Sequence, residues 1–164
     1  MNIAGRSAAV QSMPHRGGSR AAHEREYPAC LGIDRLVENL CAVLLSAGAG
    51  KVETTIPDRP VRLMIDEEGM DEAFATFGNA VARGAVVTIL GDLVRIETGE
   101  TDGDKGCALL SISVTGGQAV AKTGVRDALS ALRGVIKKQS GFLRFWEGRW
   151  EIRLSLYLPV VHNP

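Results

Sequence analysis

The side chains best suited to metal binding or nucleophilic chemistry are few in this sequence and widely spaced. The three cysteines, Cys30, Cys41 and Cys107, include no Cys-x-x-Cys pair. That spacing argues against a zinc site or a disulfide framework and is typical of a reducing cytoplasm. His15 and His162 have no partner nearby in the sequence, so we expect both at the surface.

A group of basic and aromatic residues lies near the C-terminus. Its basic members are Lys137, Lys138, Arg144, Arg149 and Arg153. They form either a solvated face or a docking surface for an acidic partner. Trp146 and Trp150 flank a predicted turn at Glu147-Gly148. We expect them to pair across two strands, although an exposed aromatic pair would also suit an interface.

Length and charge exclude several classes of function. The 164 residues make one ordinary domain, and 45% hydrophobic and 23% charged residues are typical of a globular protein. Nineteen basic and nineteen acidic residues give no net charge, so nucleic acid is not indicated as a partner. No apolar run approaches the roughly 20 residues that span a bilayer, and no secretory signal is evident. We therefore expect a cytoplasmic protein without a membrane segment.

Composition separates a tail from a domain. Residues 1–30 are rich in Gly, Ser, Arg and Ala without an apolar period, which predicts a flexible N-terminal tail. Residues 31–161 make the predicted domain. Apolar residues at helical spacing predict helices around 33–44, 70–81 and 125–136. Short apolar and β-branched runs predict strands at 51–56, 61–65, 86–90, 93–98, 110–114, 142–146 and 150–159.

The order of these elements, αββαββ and then βαββ, predicts the fold class. Gly91-Asp92 is read as the two-residue turn of a hairpin between two of the strands. Antiparallel hairpins with helices laid on one face give a two-layer α/β sandwich. We expect a mixed, mainly antiparallel sheet with about three helices on one of its faces.

Three short sequences, in this order, resemble the ATPase domain of sensor histidine kinases, a member of the GHKL superfamily. Residues 62–66 (Arg-Leu-Met-Ile-Asp), running on to Asn79-Ala80, resemble a strand and the first ATP-site helix. Residues 111–117 (Ser-Ile-Ser-Val-Thr-Gly-Gly) resemble the strand and turn that usually read Val-x-Asp-x-Gly-x-Gly. Residues 134–141 and 156–159 resemble the last helix and closing strand. The resemblance implies a Bergerat-like fold over residues 31–161.

The resemblance also implies a nucleotide site. Asn79 matches the asparagine whose amide oxygen binds Mg²⁺ in the family, a ligand suited to a hard cation. Gly116 and Gly117 match the Gly-x-Gly turn with a shift. Gly124 is the one glycine left of a box, usually Gly-x-Gly-Leu-Gly-Leu, whose backbone N–H groups hold phosphates. These four residues are the expected contacts if nucleotide binds. The glycines are otherwise turn residues, and Asn79 a capping or core-bridging residue.

Other positions depart from the family pattern. Val114 stands where the family has an aspartate that accepts a hydrogen bond from the adenine amine, and a valine accepts nothing. Only residues 118–123 replace a mobile lid that is much longer in typical kinases. Asp127 adds negative charge near the expected phosphates, which Arg126 partly offsets. Because phosphoryl transfer depends on positioning and closure around the phosphates, these departures predict a poor kinase.

His23-Glu24, followed by Pro28, resembles the phosphoacceptor box of the same family. That histidine normally sits on a long two-helix hairpin. Residues 28–32 leave no room for such a hairpin before the first domain helix, so we favour a solvated tail.

Three hypotheses follow. The first is a degenerate histidine-kinase-type domain that acts in two-component signalling as a regulatory or protein-interaction module. It needs no cofactor, and its partner is a response regulator, a kinase or a second copy of the chain. The alternative is a functional catalytic domain that binds ATP and Mg²⁺. The third is an α/β module outside signalling whose likeness is superficial.

Overall fold

The structure, a computed structural model, describes residues 30–96, 105–117 and 122–161. The predicted tail and His23 lie outside these residues. The elements in chain order are β1 Cys30–Gly32, α1 Ile33–Ser46, β2 Lys51–Thr55, β3 Arg62–Met64, α2 Glu67–Val81, β4 Ala85–Ile96, β5 Lys105–Gly116, α3 Lys122–Lys138, β6 Phe142–Glu147 and β7 Glu151–Pro159. No helix within the described ranges is long and apolar enough to cross a membrane.

Five strands form the main sheet in the order β2-β4-β5-β7-β6. β2 runs parallel to β4, and each remaining pair of neighbours is antiparallel. β1 and β3 make a separate two-stranded antiparallel sheet. The prediction of a mixed, mainly antiparallel sheet is confirmed. The two strands predicted on either side of residues 57–60 belong to different sheets.

The helices cover one face of the sheet and leave the other face in solvent. Alternate strand residues point inward, such as Ile89, Ile112 and Leu154, which lie opposite one another across β4, β5 and β7. Phe74 and Phe77 of α2 are fully buried against this layer. Burying each of these rings is worth about 1.5–3 kcal/mol. The described core contains no buried polar or charged residue, and the predicted two-layer α/β sandwich is confirmed.

The hairpin predicted at Gly91-Asp92 is wrong. β4 runs through both residues, and its pairing with β5 is uninterrupted from Ala85↔Gly116 to Ile96↔Lys105. Gly91 faces the core, where a Cβ would lie 3.3 Å from side-chain atoms of both Ile33 and Ile56. The glycine therefore leaves room for the side chains of Ile33, which begins α1, and Ile56, which follows β2, and it does not form a turn.

The expected pairing of Trp146 with Trp150 is also wrong. Trp146 lies on β6 opposite Arg153 of β7. β7 begins only at Glu151, because the turn takes up residues 148–150 and closes through the Gly148 N–H, which donates to the Glu151 carbonyl at 2.8 Å. Trp150 is thus at the tip of the hairpin and outside the strand ladder.

α2 starts on acidic residues. Asp66 is the N-cap, and its Oδ1 accepts a hydrogen bond from the Gly69 N–H at 3.1 Å, which satisfies one of the free amides of the first turn. Glu67 follows in that turn, where negative charge suits the helix dipole. The Asn39 amide of α1 donates to Asp71 at 3.2 Å and joins the two helices. α2 is thereby fixed at the end opposite to Asn79.

Candidate functional site

Several glycine turns meet where β4 begins and β5 ends. Gly84, Gly116 and Gly117 have positive φ angles of 71°, 70° and 87°, a conformation that side chains other than glycine seldom adopt. A Cβ on Gly117 would lie 2.9 Å from the carbonyl oxygen of Arg83. Gly117 is therefore needed for the close packing of the turn after β5 against the turn after α2.

Backbone hydrogen bonds hold a third segment at the same place. The Gly84 N–H donates to the Gly48 carbonyl at 2.8 Å, and the Gly50 N–H donates to the Ala85 carbonyl at 2.8 Å. The connections between α1 and β2 and between α2 and β4 are joined in this way. We call Gly48, Gly50, Gly84, Gly116 and Gly117 the glycine edge.

Asn79 lies in the last turn of α2, just before the glycine edge. It is exposed, and within the described residues its side chain has no hydrogen-bond partner. The helix ends at Ala82, whose N–H donates to the Gly78 carbonyl, so Asn79 neither caps the helix nor bridges the core there. Its amide is free to meet a ligand from solvent.

Gly124 lies in the first turn of α3, and a Cβ on it would meet no atom within 4 Å. A groove between α2 and α3 is lined by Asp66 and Glu72 from the first half of α2 and by Lys138 from the end of α3. α2 leads from β3 to Ala85, and α3 leads from Gly116, the ladder partner of Ala85, to Phe142 at the other end of the sheet. The two helices therefore run in opposite directions. The last turn of α2, with Asn79, and the first turn of α3 lie toward the same end of the molecule as the glycine edge.

The matched acceptor position is part of the core. Val114 is only 4% exposed and pairs with Val87 on one side and Ile152 on the other. No polar side chain is buried in the described core. At the position that the resemblance matches to the family's aspartate, the structure therefore has an apolar side chain packed between two neighbouring strands.

Three cavities among the described residues lie away from Asn79 and the glycine edge. The groove between α2 and α3 has a volume of about 490 Å³, and two others of about 190 and 420 Å³ lie beside Arg59 and Val160. None of the three is lined by Asn79 or by the glycines predicted as contacts. The described residues contain no group of three His, Cys, Asp or Glu side chains able to hold a metal.

The cysteines lie apart from this end of the molecule. Cys30, Cys41 and Cys107 are all free thiols. Burial raises the pKa of both the Cys41 and Cys107 thiols, so the reactive thiolate is disfavoured.

Sequence reasoning does not single out three members of the glycine edge, which are Gly48, Gly50 and Gly84. The sequence does show a glycine soon after each of two successive helices, Gly48 after α1 and Gly84 after α2. Their meeting, however, depends on the parallel pairing of β2 with β4, which the sequence pattern does not encode.

Comparison with known proteins identifies the fold. No protein-family model matches the sequence, and no curated protein matches it. Among solved structures, the mycobacterial sensor histidine kinase MprB has 15% sequence identity and a TM-score of 0.55, covering 80% of this chain and 98% of that one. A histidine kinase from Burkholderia phymatum has 14% identity and a TM-score of 0.56, covering 82% and 71%. The histidine kinase domain of the E. coli osmosensor EnvZ has 12% identity and a TM-score of 0.55, covering 87% and 94%. The chain has the GHKL-type fold of histidine kinase ATPase domains, as the sequence predicted.

Proposed function

We propose that this chain is a degenerate histidine-kinase-type ATPase domain. It acts in the cytoplasm, in two-component signalling, as a regulatory or protein-interaction module with weak or no ATP binding. The partner is a signalling protein, either a response regulator or a kinase, and the module also pairs with a second copy of itself. The observation that carries the proposal is the buried position of Val114.

Val114 closes the adenine position by chemistry and by packing. The side chain offers no acceptor, and a donor left unpaired on burial costs about 1–3 kcal/mol. It is also held between Val87 and Ile152 within the sheet. A polar replacement would have to enter a layer that is apolar throughout the described core.

The connection between β5 and α3 supports the same conclusion. β5 ends at Gly116 and α3 begins at Lys122, which leaves residues 117–121 between them. A mobile lid long enough to fold over a nucleotide does not fit in that connection. Phosphoryl transfer needs such closure to exclude water and to position the phosphates.

One observation favours the alternative of a functional ATP- and Mg²⁺-binding domain. Asn79 is exposed, without a partner among the described residues, and lies toward the same end of the molecule as Gly116, Gly117 and Gly124. An amide oxygen and backbone N–H groups are suitable contacts for Mg²⁺ and phosphate. This arrangement would bind the phosphates without selecting adenine.

Titration with Mg-ATP by calorimetry distinguishes the two. We expect no saturable heat at millimolar nucleotide, since a Kd of about 1 mM corresponds to only about −4.1 kcal/mol. Asn79→Ala is the test variant, and Thr76→Ala, exposed one turn earlier on α2, is the matched control. Micromolar binding that Asn79→Ala abolishes and Thr76→Ala leaves intact would establish the alternative.

The interaction role is tested separately. Purified receiver domains and kinase domains from the same organism are presented to the immobilised chain, and sedimentation measures its self-association. Saturable binding to one of these proteins, together with no nucleotide binding, is the expected result. If neither nucleotide nor any signalling protein binds, an α/β module outside signalling becomes the better explanation.

A further inference from the structure

The uncovered face of the β6–β7 hairpin carries aromatic side chains in solvent. Phe142 is 38% exposed, Trp146 is 53% exposed, and Trp150 at the hairpin tip is 77% exposed. We call Phe142, Arg144, Trp146, Arg149, Trp150 and Tyr157 the aromatic–arginine surface. Large apolar groups left clustered in solvent are typical of binding surfaces, because their burial by a partner is favourable.

The strand half of this surface is built by cross-strand pairing. Phe142 lies opposite Tyr157 in the ladder, and their rings stack with centroids 4.1 Å apart and planes 11° from parallel. The Arg144 guanidinium lies 5.8 Å from the Phe142 ring and 5.6 Å from the Tyr157 ring. Both distances are within the range of cation–π attraction, so the guanidinium is held in place before any partner arrives.

Trp146 is positioned by a neighbouring arginine and a glycine. The Arg153 guanidinium lies 5.3 Å from its ring. A Cβ on Gly148 would collide with the same ring, so the glycine makes room for Trp146 beside the turn. Arg153 also donates to Glu151 at 2.7 Å, and Ser113 donates to the same carboxylate oxygen at 2.6 Å. The charge of Arg153 is therefore satisfied within the protein.

Two other arginines are not satisfied in this way. The Arg149 guanidinium lies 5.2 Å from the Trp150 ring, as Arg144 lies near its two rings. Neither Arg144 nor Arg149 forms an ion pair with a carboxylate among the described residues. The surface thus offers two unpaired, pre-positioned guanidinium groups beside exposed aromatic rings.

We propose that the aromatic–arginine surface docks an acidic segment of a protein partner. Carboxylates of the partner accept paired hydrogen bonds from Arg144 and Arg149. Apolar side chains interleaved with those carboxylates pack on Trp146 and Trp150. Aromatic and arginine residues are the types enriched in the energetically dominant part of protein interfaces, whereas a solvated face needs neither the stacking nor the exposed rings.

The charges argue for this occupant over two others. Two unpaired arginines in a surface that Glu147 adjoins are too few for the many phosphate contacts by which a nucleic acid backbone is bound, whereas two carboxylates are enough to match Arg144 and Arg149. A two-fold pairing of two copies would bring Arg144 and Arg149 toward their own equivalents, with like-charge repulsion. The inference deepens the proposed function, since it assigns that module a binding surface and the chemistry of its partner.

Intrinsic fluorescence tests the inference directly. The chain has two tryptophans, and both belong to the aromatic–arginine surface. The probes are three synthetic peptides with the same leucine and phenylalanine positions and with glutamate, glutamine or lysine at the remaining ones. We expect a saturable blue shift with the glutamate peptide, affinity at least about tenfold lower with the glutamine peptide, and no shift with the lysine peptide.

Variants identify the residues that bind the glutamate peptide. Arg144→Gln with Arg149→Gln should reduce affinity for the glutamate peptide at least about tenfold, while Arg133→Gln on the exposed side of α3 should leave it unchanged. If the double variant fails to fold, Trp150→Ala gives a second test of whether the aromatic–arginine surface binds the glutamate peptide. This change removes a side chain that is mostly in solvent. Trp146 remains in this variant as the fluorescent reporter.

Three outcomes would overturn the inference. One is equal affinity for the glutamate and glutamine peptides. Another is tighter binding of single-stranded oligothymidylate than of the glutamate peptide at the same salt concentration. The third is an emission shift that depends on protein concentration alone, which would assign the surface to a second copy. Micromolar Mg-ATP binding would instead overturn the proposed function and leave the peptide result standing.

Discussion

The glycine edge and the aromatic–arginine surface are built in opposite ways. The glycine edge is made of backbone, with positive φ angles at Gly84, Gly116 and Gly117 and hydrogen bonds between main-chain groups. The aromatic–arginine surface is made of side chains that stack on one another and remain in solvent. The first includes the turn glycines that the sequence resemblance predicts as nucleotide contacts. The second has chemistry suited to recognition without any family motif.

This difference shows why glycines that match a family motif are weak support for the family's activity. Gly117 is required by the close approach of the Arg83 carbonyl, whether or not a phosphate ever binds. A glycine that matches a family motif can therefore be required by packing alone, whatever the domain binds. Arg144 and Arg149 have no comparable structural requirement within the described residues.

The largest expected effect comes from introducing an acidic residue at Val114, which the resemblance matches to the family's aspartate. Val114→Asp places a carboxylate in an apolar layer, and we expect a loss of about 3 kcal/mol or more in the free energy of unfolding. Urea denaturation measures it. Val86→Asp is the matched control, because Val86 is 39% exposed on the neighbouring strand, and its cost should be at most about 1 kcal/mol. Equal costs would mean that position 114 is not part of the core.

A smaller effect separates the two glycines after β5. Gly117→Ala combines a positive φ with a collision at the Arg83 carbonyl, and we expect a loss of about 1–3 kcal/mol in the free energy of unfolding. Gly116→Ala has the same backbone strain but meets no atom within 4 Å, so it should cost only about 1 kcal/mol. Thermal and urea denaturation give both values. A reversed order would remove the structural explanation for Gly117.

The smallest effect is a pH dependence beside the aromatic–arginine surface. The hydrogen bond from Arg153, with that from Ser113, lowers the pKa of Glu151 below its ordinary value of 4.5. The folded state then favours the charged form, so this contribution is present above that value and is lost as the pH falls through the lowered pKa. Urea denaturation at a series of acidic pH values should show a steeper loss of stability than in Glu151→Gln. Glu147→Gln, a change at the neighbouring exposed glutamate, should lose stability with falling pH as steeply as the unmodified protein.

Local pattern was enough to predict most of the fold. Helical spacing placed α2 correctly, and the acidic residues before it proved to include its N-cap, Asp66. Alternation of apolar residues placed β5 and β7 in the sheet. These features depend on neighbours within a few residues along the chain, and such spacing is what a sequence displays directly.

The errors concern a contact between distant segments and the length of one turn. Gly91 has the local signature of a turn, yet it is a packing glycine because Ile33 and Ile56 approach it from elsewhere in the chain. Trp146 and Trp150 are near each other in sequence, but the length of the turn places Arg153 opposite Trp146. The candidate site shows the same limit, since the residues that match the family motifs could be named, but the burial of Val114 depends on the register of three strands.

The uninterrupted pairing of β4 with β5 bears on the order in which the backbone amides of this domain exchange with solvent. β5 is bonded along its length to β4 on one side, and from Cys107 to Thr115 to β7 on the other, so its amides are released to solvent only when much of the sheet separates. β2 and β6 are each bonded on one side among the described strands, and their amides can exchange through fraying of a single strand. The aromatic–arginine surface therefore lies largely on an edge strand and its turn, where we expect backbone amides to exchange with solvent early. Val114 lies on a central strand, where we expect them to exchange last.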